Sequence, residues 1–246
     1  MSAQASRAEG ASARSRRLFA EPVRDYLAAL DAMRDRGIPG LAVAGVAFAL
    51  AWFAYVPIHE LFHAWGCLAA GGTVTRLEIA PEYGGALLAR VVPFVVSGSD
   101  YAGQLTGFDT GGNDAIYLAT VLAPFLLTIL IGVPLLKRAA RPLGNPGRRP
   151  WLLGASLPVA YAPFVSLPGD YYEAGSILVS RAAQWADPAH PLARWRGDDV
   201  FKLARELSGA GATGADWLGV GASLVIGIFL AFLTYHLGAR FAQFVR

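Results

Sequence analysis

The sequence predicts an α-helical polytopic membrane protein: about four transmembrane helices, a β-hairpin after the first, and an N-terminal amphipathic helix. Three observations carry this. The 246 residues are 54% apolar and only 16% charged, whereas an ordinary soluble domain is about a quarter charged. Four apolar runs, at about residues 38–70, 114–136, 151–179 and 217–237, each have the length a bilayer crossing demands. Between the first and second runs the hydrophobic period shifts from that of a helix to that of a strand.

The elements follow in order. Residues 1–17 are rich in Ala, Ser and Arg and read as disordered. From Glu21 to Arg36, Val23, Tyr26, Leu27, Leu30 and Met33 share one helical face while Arg24, Asp25, Asp31 and Arg34 lie mostly elsewhere. That pattern suits a helix lying on a membrane surface. Residues 1–37 thus form a cytoplasmic tail and amphipathic helix, and 38–246 a membrane domain. The first 35 residues lack a continuous apolar stretch, so no cleaved signal peptide is expected. The first run, about 50 Å long as a helix, exceeds the bilayer core and is expected to tilt or to bend at Pro57. Gly71-Gly72 end it.

After that break, Arg76 and Glu78 alternate with Thr75, Leu77 and Ile79, as in a strand. Pro81 to Gly85 reads as a turn and Ala86–Val96 as a second strand, giving the hairpin; Ser97–Asn113 reads as a loop. Lys137-Arg138 close the second run, and a Pro/Gly/Arg loop follows to Pro150. The third run is interrupted at Pro168-Gly169. Residues 180–215 are polar, with a short helix near 199–208.

Net charge is +3, and the basic residues are not gathered into one cluster. They read as topology signals, and no nucleic-acid partner is expected. Seven Lys and Arg fall in residues 1–40 and five in 137–150, against two in 71–113, which places the N-terminus in the cytoplasm. Five more in 180–215 fall on the outer side. Four spans return the C-terminus to the cytoplasm. The Ala/Gly/Arg-rich composition, without a eukaryotic sorting signal, suggests a bacterial plasma membrane. One cysteine, Cys67, excludes an intrachain disulfide; it reads as a small packing residue.

The chemistry sits in the first run, at His59-Glu60-Leu61-Phe62-His63. On a helix, HExxH sets two imidazoles one turn apart on one face, where both can bind one zinc ion, with the glutamate beside it as a general base. At this chain's His and Glu content the pattern arises by chance on the order of 0.002 times per chain. Ionisable groups are costly in hydrocarbon, which points to a function there. Catalytic zinc takes three protein ligands and keeps one position open. The metzincin extension needs histidine at position 69, which is Ala69. Glu78 and Glu82 have plausible separations but lie in the expected hairpin. Asp170 follows the Pro168-Gly169 break in an otherwise apolar stretch. His59 and Asp170 lie about 21 and 19 residues into spans that run the same way, hence at similar depth. Glu173, one turn on, is the reserve ligand.

These residues resemble the site-2 protease family of intramembrane zinc metalloproteases. The stretch HELFHAWGCLAAGGTVTRLEIAPEYGG is the closest match, and TVLAPFLLTILIG is similar to that family's second core helix. The likeness covers about residues 45–180. It implies Zn2+ held by His59, His63 and Asp170, with Glu60 as catalytic base, and peptide-bond hydrolysis in membrane-protein or peptide substrates within the lipid bilayer. In the family the aspartate sits in an Asn/Pro-rich LDG element; here the stretch reads PGDYYEAG. A non-catalytic zinc-binding or helix-binding membrane protein of the same fold is the alternative, and a transporter or channel is a third. Tyr171 and Tyr172 flank Asp170 and read either as oxyanion donors or as packing. His190 reads as a loop residue, His236 as interfacial, and Trp151 and Trp217 as interfacial anchors.

Overall fold

The computed structural model describes residues 18–141, 146–187 and 194–245. The expected tail at 1–17, part of the loop before Pro150, and His190 lie outside them. The chain starts with helix α1, residues 18–31, then a 3₁₀ turn at Arg34–Arg36, then α2 over Gly37–Ala69. Pro57 lies inside α2 without interrupting it. Gly71, at φ +97°, supplies the left-handed turn that takes the chain out of the helix. Next come β1 (Thr73–Ile79), α3 (Gly85–Leu88), β2 (Val95–Ser97) and β3 (Gly103–Asp109). Helix α4 (Asp114–Leu122) continues through a 3₁₀ turn at Ala123–Phe125 and a π segment at Thr128–Gly132 into α5 (Val133–Ala139). Then follow α6 (Arg149–Ala160), α7 (Ala162–Val165), a π segment at Leu167–Tyr171, α8 (Tyr172–Ala186), α9 (Val200–Gly209) and α10 (Gly214–Phe244).

Among the described residues, three helical stretches are long and apolar enough to cross a membrane: Leu18–Ala69, Asp114–Ala139 and Gly214–Phe244. The expected span at 151–179 is not one helix. Pro158, Pro163 and Pro168 each lack a backbone donor, and Gly169 leaves helical geometry at φ −101°, ψ −107°. The stretch therefore becomes a chain of short helices.

The sheet also differs from expectation. Its order is β2-β1-β3. β1 pairs in parallel with β2, Leu77 opposite Val95, and antiparallel with β3, Leu77 opposite Leu105. The hairpin between 73–79 and 86–96 is thus replaced. Residues 85–88 coil into α3, and that crossover brings β2 back in the same direction as β1. The antiparallel partner lies in the expected loop, where Gly103, Gly107 and Asp109 hide the alternation.

The structure divides into two compact units, Met1–Ala51 with Thr128–Tyr161 and Phe232–Arg246, and Trp52–Leu127 with Ala162–Ala231. In the first, α1 leaves part of its apolar face outward and turns its acids inward. Val23 and Leu27 are exposed, while Glu21 and Asp25 face Lys137, whose Nζ lies 3.1 Å from Glu21 and 2.7 Å from Asp25. Tyr235 donates to Asp25 (2.9 Å), and His236 pairs with Glu21 (3.0 Å). In the second unit, Leu77 and Ile79 of β1 are fully buried against Ala64 of α2 and Val95 of β2. Here α2 and α4 meet closely at Gly66, where a Cβ would stand 2.5 Å from the Ala119 carbonyl oxygen. The expected short helix near 199–208 is α9. Asp199 caps it, accepting from Phe201 and Lys202 N–H, and Val200, Leu203 and Leu207 pack inward.

Candidate metal centre

The second unit carries the HExxH stretch on α2. Four residues per step give about 6 Å of rise and nearly one full turn, so His59 and His63 project from the same face. Their rings are 4.8 Å apart, edge to face, and their Nε2 atoms 3.1 Å apart. Each residue is 8% exposed. Asp170 closes the group: its Oδ2 is 3.3 Å from His59 Nε2 and its Oδ1 3.6 Å from His63 Nε2.

The backbone explains how Asp170 arrives there. It sits in the π segment Leu167–Tyr171, directly after the non-helical Gly169. A π turn and a kink rotate a side chain away from the direction an α-helix would give it, and such segments recur at functional sites. Tyr171 then packs on Phe125 at 4.4 Å, and Phe125 meets the His59 ring at 5.6 Å, forming a dry wall.

The two imidazoles are held from behind. His63 Nδ1–H donates to the Thr120 carbonyl at 2.9 Å. His59 Nδ1 lies 2.7 Å from the Tyr55 hydroxyl. Partners of this kind fix the ring orientations, so that both Nε2 atoms face the same point. The separations of 3.1, 3.3 and 3.6 Å among the three donor groups match the roughly 3.3 Å between ligands of a tetrahedral ion bound at about 2.0–2.1 Å. His59, Glu60 and His63 form a group able to hold a metal ion, each offering an atom within 4.8 Å of the others.

Glu60 rests against the sheet. A Cβ on Gly103 of β3 would stand 2.4 Å from Glu60 Cγ, so only glycine leaves space for this carboxylate. His59, Glu60, His63 and Asp170 all line one cavity of ≈ 980 Å³, whose walls include Gly103–Thr106 of β3 and the N-terminal end of α9. That volume is at the upper end for ligand sites.

The other sequence candidates separate cleanly. Glu78 pairs with Arg76 at 2.8 Å and accepts from Thr106. Glu82 is exposed. Glu173 lines the cavity and accepts from the Tyr117 hydroxyl, whose ring lies under the Arg196 guanidinium at 5.5 Å. Arg196 pairs in turn with Asp114. Cys67 is buried and points to the Thr73 carbonyl, as a packing residue would. Tyr171 and Tyr172 are both fully buried, and the Tyr172 hydroxyl donates to the Trp195 carbonyl (2.6 Å). Packing, not oxyanion binding, is therefore the role of Tyr172.

Sequence reasoning missed Tyr55, the Thr120 carbonyl and Gly103. Tyr55 was within reach, since it stands four residues before His59, as His59 stands four before His63. The other two depend on how α4 and β3 approach α2, which no local spacing encodes. No protein-family model, curated protein or solved structure matches the chain.

Proposed function

We propose that this chain is an intramembrane zinc metalloprotease of the site-2 type, cutting peptide bonds of membrane-protein substrates. The observation that carries this reading is the approach of Asp170 to the His59–His63 pair, with Glu60 on the same cavity. Two histidines and one carboxylate with a side open to a cavity is the donor set of a catalytic zinc site; a structural site is closed by four protein ligands. His59, His63 and Asp170 would hold the metal. Zinc held there supplies Lewis acidity, polarising a carbonyl and making water a nucleophile at neutral pH.

The rest of the chemistry belongs to the chain. Glu60 accepts a proton from the attacking water as its oxygen bonds to the peptide carbon. It returns that proton to the amine as the C–N bond breaks. Gly103 sets the Glu60 carboxylate close to β3. β3 is an edge strand along the cavity, so an unwound substrate segment can add to it through main-chain hydrogen bonds. Addition as a strand also solves the substrate's problem, because a peptide bond inside a helix is shielded by its own hydrogen bonds. The membrane arrangement we propose keeps four crossings. The broken 149–186 stretch is the third, tolerated at depth because its irregular backbone lines a cavity. Both termini are then cytoplasmic, in a bacterial plasma membrane.

Glu60→Gln tests the mechanism. It should retain about one zinc per chain and lose at least about 10²-fold in cleavage of a reporter membrane substrate. Undiminished cleavage would overturn the protease mechanism, and an active wild type excludes a purely helix-binding role.

A further inference from the structure

Resting on the metal-centre reading above, we propose that Tyr55 is the positioning residue that sets metal affinity, by fixing the ring orientation of His59 and accepting its Nδ1–H when Nε2 binds the metal. A histidine offers Nε2 to a metal only when its hydrogen sits on Nδ1, and a buried Nδ1–H needs an acceptor. The two histidines meet this need differently. His63 uses the Thr120 backbone carbonyl (2.9 Å), an acceptor that no side-chain substitution removes. His59 has a side chain as its Nδ1 partner, the Tyr55 hydroxyl at 2.7 Å.

The placement is built rather than incidental. Tyr55 lies one helical turn before His59 on α2 and is 8% exposed. Its ring packs beside the imidazole, with centroids 5.3 Å apart. Phe125 stands edge-on to the same imidazole at 5.6 Å. The His59 ring is thus held by aromatic contacts and by the hydroxyl at its Nδ1. Tyr55, His59 and His63 therefore act as one stripe at a spacing of four residues: orienter, ligand, ligand.

The experiment uses the full chain in detergent and zinc itself, titrated against a competing chelator. Tyr55→Phe keeps the ring contact and deletes only the hydroxyl. It should weaken zinc roughly 10–100-fold, shift the visible spectrum of the Co2+-loaded protein, and leave melting of the chelator-treated protein unchanged. Tyr83→Phe, which removes a hydroxyl that accepts from Trp52 in the same unit (3.3 Å), should leave zinc affinity as it was. Equal affinity and an equal spectrum in Tyr55→Phe overturn the role of Tyr55 alone. A wild type that takes up no zinc overturns the metal centre itself, and this role with it. A measurement that needs no variant stands beside these: in zinc-loaded wild type, the Nδ1 protons of both His59 and His63 should exchange slowly by NMR. Free exchange at His59 overturns the proposal.

Discussion

At the scale of single residues, the centre combines groups of different origin. His59, Glu60 and His63 are local: one helix and a spacing of four place them, whatever surrounds them. Asp170 is not local, yet a carboxylate after Pro-Gly in an apolar stretch has few uses other than a ligand or a cap. That is why it was legible. Gly103 was not, because a glycine in a polar stretch looks like loop. Its meaning comes from Glu60, whose Cγ would stand 2.4 Å from a Cβ there. Gly103→Ala should therefore displace the Glu60 carboxylate while leaving both histidines and Asp170 untouched. We expect zinc content near that of wild type with cleavage lowered roughly 10–100-fold, an effect the size of a misplaced catalytic group. Equal loss of zinc and cleavage would show that Gly103 serves the fold rather than Glu60.

At the scale of elements, a strong local pattern decides the structure and competing patterns do not. α2 and α10 follow long continuous apolar runs, and α9 follows its amphipathic period and its Asp199 cap. The hairpin failed because Ala86–Val92 carries β-branched residues beside good helix formers, and tertiary contact chose α3 for the first part. The α1 helix has two faces with different partners. Val23 and Leu27 are exposed, as a face read as lying on a membrane surface would be, while Glu21 and Asp25 turn to Lys137, a partner that local periodicity does not show. Lys137 is 13% exposed, its partners 22% and 17%, so removing it leaves two carboxylates facing each other. Lys137→Met should cost about 3 kcal/mol, read as a lower melting temperature in detergent and faster proteolysis within residues 18–31. An unchanged melting temperature would mean that α1 is held by its apolar contacts, such as Phe19 against Phe232 at 4.7 Å.

For the whole molecule, the four crossings proposed above predict a side of the membrane for each segment. They would place both termini on one side and the segments around residues 87 and 185 on the other. Cys67 is buried and is the chain's one cysteine, so Cys67→Ala gives a background for single-cysteine labelling. Cysteines placed at exposed Asp35 and Phe244 should react with an impermeant thiol reagent only from the cytoplasmic face. Cysteines at Leu87 and Trp185, which are 66% and 90% exposed, should react only from the opposite face. Labelling of Asp35→Cys and Phe244→Cys from opposite faces would reduce the crossings to an odd number.

The sequence by itself determined the apolar character of the chain, the long helices, and the pairing of His59 with His63, because composition and helical spacing are local properties that neighbours do not rewrite. It also indicated Asp170, through a break in a long apolar run. Only the tertiary structure decided that Asp170 stands within 3.3–3.6 Å of both imidazoles, that β3 rather than a hairpin partner lies along the cavity, and that Tyr55 and the Thr120 carbonyl hold the rings. Each of these depends on where one element's backbone passes another's. That is set by close approaches such as Gly66 on Ala119 and Glu60 on Gly103, which no single stretch of sequence contains.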